Sequence, residues 1–116
     1  LNILVAEDDV IIGELLAEIL VDMGHDVCAI TTSEADTVAA ARQWHPDLLI
    51  VDRQLSPGSG VDAVDTIMQT SYIPHILVSG SIASLRKLRP DAIMLEKPYS
   101  PAALASAIVR TCKPAA

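Results

Sequence analysis

Four short stretches of this 116-residue chain carry side chains able to do chemistry: Glu7-Asp8-Asp9, Asp52, Ser79-Gly80 and Lys97-Pro98. Carboxylates crowded together repel, and the repulsion raises their pKa values unless a cation relieves it. Acidic oxygen donors with open positions suit Mg²⁺, which keeps several waters and is usually held by one or two carboxylates plus a phosphate. A carboxylate can also act as a nucleophile toward a phosphoryl group and form an acyl phosphate. The transferred group spreads its charge over three oxygens, which call for a metal, a fixed cation and a hydroxyl or backbone N–H. Lys97, Ser79 and the Gly80 N–H supply that set. A lone Asp52 would more often be a strand-ending residue that caps the next helix; the other three stretches change that reading.

Those side chains work together only if the fold gathers them. Leu48-Leu49-Ile50-Val51 is an apolar run ending on Asp52, which reads as a central parallel strand covered on both faces. The loop Ser56-Pro57-Gly58-Ser59-Gly60 then turns the chain. Residues 2–6 form a similar short strand ending in Glu7-Asp8-Asp9. Ile12, Leu15, Leu16, Ile19, Leu20 and Met23 follow at helical spacing, closed by Gly24. Residues 26–31 read as a weaker strand, and Ser33 caps a second helix with an inner stripe of Ala35, Val38, Ala39 and Arg42, stopped at His45-Pro46. Val61, Val64, Ile67 and Met68 mark a third helix. Residues 73–79 form a fourth strand with Pro74 tolerable only at its start, residues 83–88 a short helix, and residues 92–95 a fifth strand. Ser100-Pro101 opens the last helix, with Leu104, Ala107, Ile108 and Cys112 inward. Strands and helices alternate five times, which predicts an α/β fold: a doubly wound five-stranded parallel sheet with helices on both faces. Right-handed crossovers bring every strand's carboxyl end to one edge, where open α/β sheets bind ligands. Glu7, Asp8, Asp9, Asp52, Ser79 and Lys97 lie along it.

The length suits one domain, residues 1–116. With no Phe and only Trp44, Tyr72 and Tyr99 aromatic, Leu, Ile, Val and Ala fill the core. A formal charge of −7 argues against direct nucleic-acid binding, and Arg86, Lys87 and Arg89 read as a solvated helix face. Two cysteines, Cys28 and Cys112, make no disulfide framework. No apolar run approaches a membrane span and nothing at the amino end resembles a signal peptide, so the expected setting is cytoplasmic, away from the membrane. His25, His45 and His75 lack metal-ligand spacing.

Taken in order, Glu7-Asp8, Asp52, Gly60 eight residues beyond it, Ser79-Gly80 and Lys97-Pro98 resemble the receiver domain of two-component response regulators, and the resemblance runs the length of the chain. It implies the flavodoxin-like (βα)5 receiver fold. It further implies that Asp52 accepts a phosphoryl group from a phosphohistidine on a sensor histidine kinase or histidine phosphotransfer protein, and that the domain promotes its own phosphorylation and dephosphorylation rather than acting as an enzyme on other substrates. Asp8 corresponds to a direct Mg²⁺ ligand, Glu7 to a ligand through water and Gln54 to a ligand through its backbone carbonyl. Lys97 is similar to the lysine that contacts the phosphoryl group and Ser79 to the switch hydroxyl; the Lys97–Pro98 peptide should be cis. Asp9 matches no required position and is expected to cap the first helix. Three positions depart from the family pattern. Met94 stands where receivers often carry an aromatic switch partner, the segment from Ser79 to Lys97 is a few residues short, and Ser56 begins the loop after Asp52. A dehalogenase-type phosphatase would share the nucleophile and Mg²⁺, but it places a second Asp where this chain has Gln54 and needs a cap domain. A receiver-like module working without phosphorylation is the other alternative.

Overall fold

The computed structural model describes residues 1–112, so the last four positions of the domain expected over 1–116 lie outside the described residues. The elements alternate as β1 (Asn2–Ala6), α1 (Val10–Asp22), β2 (Asp26–Thr31), α2 (Glu34–Trp44), β3 (Leu48–Asp52), α3 (Gly60–Met68), β4 (His75–Ser79), α4 (Ile82–Leu88), β5 (Ile93–Glu96) and α5 (Pro101–Cys112). The strands form one parallel sheet in the order β2-β1-β3-β4-β5, with β3 central. All five residues of β3 are buried, as its uninterrupted apolar run requires.

Strand side chains alternate between two cores. Leu4, Leu49, Val51 and Leu77 face α2, α3 and α4, meeting Ala41, Val64, Ile67 and Leu85. Ile3, Val5, Ile50 and Ile76 face the other way, against Leu16 and Leu20 of α1 and Leu104, Ala107 and Ile108 of α5. Four of the five helices are started by side chains at the sheet's functional edge. Asp9 accepts the N–H groups of Ile11 and Ile12 at 3.0 and 3.2 Å, Ser33 accepts that of Asp36, Ser59 that of Asp62 and Ser100 that of Ala103. Asp9 is thus the cap its position predicts.

Two inner stripes differ from the sequence expectation. In α2 the buried residues are Thr37, Ala40 and Ala41, while Ala35, Ala39 and Arg42 are exposed. The small, weakly patterned side chains of this helix carry little phase information, and Thr37 is drawn in because its hydroxyl donates to the Ser33 carbonyl at 2.7 Å and bonds Thr31 Oγ1 at 2.8 Å. In α1, Leu16 and Leu20 are buried but Ile12 and Leu15 are exposed, because Gly13 takes the position against the sheet. A Cβ at Gly13 would come 2.9 Å from Ile30 Cγ2, so the helix packs on the sheet through its glycine. Pro74 falls outside β4, and β5 begins at Ile93 and extends to Glu96.

Gly60 fixes the loop that leaves β3. Its N–H donates to the Arg53 carbonyl at 2.8 Å, and a Cβ there would lie 1.9 Å from the Asp52 carbonyl oxygen. No rotamer relieves a contact with backbone, so Gly60→Ala is expected to cost about 2 kcal/mol or more by displacing the loop. Urea denaturation checks this; a midpoint equal to the parent's would show that the approach is not tight.

Candidate functional site

The parallel register sets Ala6 beside Val51, so Glu7 and Asp8 leave β1 next to Asp52. The Glu7 N–H donates to the Thr31 carbonyl at 2.9 Å, which extends the sheet by one residue and holds the acid at its rim. Glu7 and Asp52 are only 4% and 6% exposed, whereas Asp8 is open to solvent. One carboxylate oxygen from each of Glu7, Asp8 and Asp52 lies within 4.8 Å of the others. This is the oxygen-rich, half-open donor set that suits a hard divalent ion.

Lys97 closes the site from the end of β5. Its backbone N–H donates to the Ser79 carbonyl at 2.9 Å and its peptide bond to Pro98 is cis, as the resemblance implies. Lys97 Nζ donates to Glu7 Oε2 at 3.0 Å and also to Asp52 Oδ2. The second Asp52 oxygen, Oδ1, accepts the Gln54 N–H at 2.9 Å. A cavity of about 500 Å³ opens above, walled by Asp8, Asp52, Gln54, Ser79, Gly80 and Lys97.

Burial is the main force raising the Glu7 carboxyl to about 7; its hydrogen-bonded neighbour Asp52 adds to the rise, Lys97 opposes it, Asp8 adds a little and the Asp9 N–H subtracts. Burial works against the Lys97 ammonium too, yet the contacts with Asp52 and Glu7 outweigh it and Lys97 titrates above its ordinary value. Tyr99, packed against the core formed with α1 and α5, is raised by burial.

Ser79 is buried with its hydroxyl turned along the chain. Oγ accepts the Ser81 N–H at 3.1 Å and donates to the Ser81 carbonyl at 3.2 Å. A Cβ at Gly80 would meet nothing within 4 Å, so open space is what this glycine leaves at the cavity wall. The geometry thus gathers all seven residues singled out in the sequence: Glu7, Asp8, Asp52, Gln54, Ser79, Gly80 and Lys97. Arg53 also lines the cavity, and sequence reasoning passed over it. Its place immediately after Asp52 was the available signal.

The family model of the response regulator receiver domain matches residues 3–109. The chain belongs to this family. Among curated relatives, the receiver is 31% identical over 111 residues to the phyllosphere-induced regulator PhyR of Methylorubrum extorquens, covering 92% of this chain and 42% of that protein. It is 30% identical over 120 residues to the transcriptional regulatory protein BaeR of Escherichia coli, covering 97% of this chain and 50% of BaeR. The receiver therefore spans half or less of these relatives' length. Among solved structures, the receiver domain of Erythrobacter litoralis PhyR superposes with a TM-score of 0.87 at 26% identity, covering 99% of this chain and 95% of that one. Bartonella quintana PhyR, described as an anti-anti-sigma factor, gives 0.84 at 27% identity over 95% of this chain and 46% of its own. The fold is the flavodoxin-like receiver fold expected from the sequence. With family membership established and Gln54 where a dehalogenase-type enzyme has its second Asp, the phosphatase reading loses its support. Among the described residues, no helix is long and apolar enough to cross a membrane.

Proposed function

We propose that this receiver is a phosphoacceptor in two-component signalling and that Asp52 takes the phosphoryl group. The observation that carries the reading is the placing of one buried carboxylate at the mouth of a cavity, held by Lys97 and flanked by Glu7 and Asp8. The donor is a phosphohistidine of a sensor histidine kinase or histidine phosphotransfer protein, consistent with three histidines scattered away from the site. An Asp52 oxygen attacks phosphorus; the new O–P bond forms as the N–P bond breaks, and the leaving imidazole keeps the electron pair and takes a proton.

Glu7, Asp8, Asp52 and the Gln54 carbonyl would hold Mg²⁺, and the donor set fits it: hard oxygens, with two of the three carboxylates buried and one facing solvent. Bound there, the ion supplies positive charge to the phosphoryl oxygens. Lys97 supplies the fixed cation, passing from Asp52 Oδ2 to a phosphoryl oxygen. The Gln54 N–H holds Oδ1, orienting the carboxylate for attack. Ser79 Oγ gives up its local bonds with Ser81 to donate to the phosphoryl group, and this moves the start of α4. Gly80, at the cavity wall, supplies a backbone N–H as a further donor. Hydrolysis of the acyl phosphate at the same residues resets the domain, in the cytoplasm where the kinases' phosphohistidine is made. The output belongs to what the receiver is joined to or meets.

A small phosphodonor such as acetyl phosphate with Mg²⁺ is expected to add one phosphoryl group to the intact mass, and EDTA to prevent it. A gain that is equal with and without EDTA would exclude the metal-assisted site.

A further inference from the structure

Arg53 follows Asp52 directly and walls the same cavity. Its backbone is fixed from both sides, the N–H donating to the Val78 carbonyl at 2.7 Å and the carbonyl accepting the Gly60 N–H at 2.8 Å. Only the side chain has freedom, and its Nη1 donates to Ser84 Oγ at 2.8 Å. Ser84 lies in α4, a seven-residue helix whose one buried residue is Leu85 and whose N-cap, Ser81, makes no side-chain capping bond. The Ile82 N–H donates to Glu96 Oε2 at 3.2 Å. The first turns of this weakly held helix are therefore tied to the neighbours of Asp52 and Lys97.

Resting on Asp52 as the phosphoacceptor, we propose that Arg53 couples phosphorylation to α4 by exchanging partners: its guanidinium leaves Ser84 for the phosphoryl oxygens. A guanidinium presents five donors in a planar fork that matches phosphate. A phosphoryl group adds about −1.5 to −2 charge, and it can take two parallel N–H···O bonds from the guanidinium where Ser84 Oγ takes one. A bidentate grip on the phosphoryl group turns the Nη1 edge of the fork away from Ser84 Oγ. Phosphorylation thus removes a tie from a helix that has few, and the short stretch between Ser79 and Lys97 becomes the responsive part of the surface. The route runs alongside the Ser79 hydroxyl and does not depend on an aromatic residue at the position of Met94.

The experiment follows amide hydrogen exchange of residues 83–88 and intact mass together, with acetyl phosphate and Mg²⁺, in the parent, Ser84→Ala and Arg53→Ala. In the parent, phosphorylation is expected to speed exchange about tenfold, the equivalent of one charge-assisted hydrogen bond. Both variants are expected to exchange at the faster rate before phosphorylation and to gain little after it. In Ser84→Ala the Arg53 Nε–Hε resonance should still shift on phosphorylation, since the guanidinium keeps its phosphoryl partner. Phosphoryl uptake by the parent with α4 exchange unchanged or slowed would overturn the coupling alone. Absence of uptake would overturn the phosphoacceptor reading and the coupling with it.

Discussion

Lys97→Met is expected to slow phosphoryl uptake roughly 100-fold, the usual effect of removing one fixed charge aimed at developing negative charge. The same change should lower apo stability by about 2 kcal/mol at alkaline pH, because it strands two buried carboxylates without their shared cation. Lys97 Nζ contacts both Glu7 and Asp52, which are otherwise like charges at one buried rim. The loss should shrink in mildly acidic buffer, where a proton on Glu7 takes over part of the neutralising role and bonds Asp52. Removing the repulsion should reverse it: Asp52→Asn alone should be at least as stable as the parent in EDTA, and Asp52→Asn combined with Lys97→Met should recover most of the deficit. Urea denaturation of the four proteins in EDTA reads this cycle. Equal midpoints for the parent and Lys97→Met at alkaline pH would mean that the ammonium neutralises nothing.

Affinity for Mg²⁺ is expected to fall about tenfold between pH 8 and pH 6, since one proton on a group of pKa about 7 competes with the ion. The same titration has the opposite sign for the apo protein. A folded-state pKa raised from 4.5 to about 7 gives stability that is fully present below pH 4.5 and is lost as pH rises through 7. Apo stability from this group therefore falls while metal affinity rises. Mg²⁺ at tenfold over its dissociation constant should return about 1.4 kcal/mol. Isothermal titration and melting with and without EDTA check both limbs. A metal affinity flat across this range would show that Glu7 carries no proton to lose. Trp44, half-exposed at the far end of α2, should report little of this in its fluorescence.

The site was legible because its chemistry sits at the ends of strongly patterned elements. An unbroken apolar strand ending on Asp52 fixes that residue's burial and its edge together, and parallel topology brings Glu7, Asp8, Ser79 and Lys97 to the same rim. Helix phase was less legible. Ile12 and Leu15 match a helical stripe as well as Leu16 does, and nothing in the spacing says that Gly13 makes the close approach. In α2, Thr37 reaches its buried position through hydrogen bonds to Ser33 and Thr31, which a hydrophobic count does not register. The partners of Arg53 were hidden for another reason: a bond to Ser84 joins residues 31 positions apart through α4, whose placement depends on packing rather than pattern.

The most direct test of the central claim locates the phosphoryl group. After reaction with acetyl phosphate and Mg²⁺, borohydride reduction marks an acyl phosphate in place, and peptide mapping finds it. The mark is expected on Asp52 and nowhere else, with none recovered from Asp52→Asn. A mark on another carboxylate, or an undiminished yield from Asp52→Asn, would contradict the mechanism.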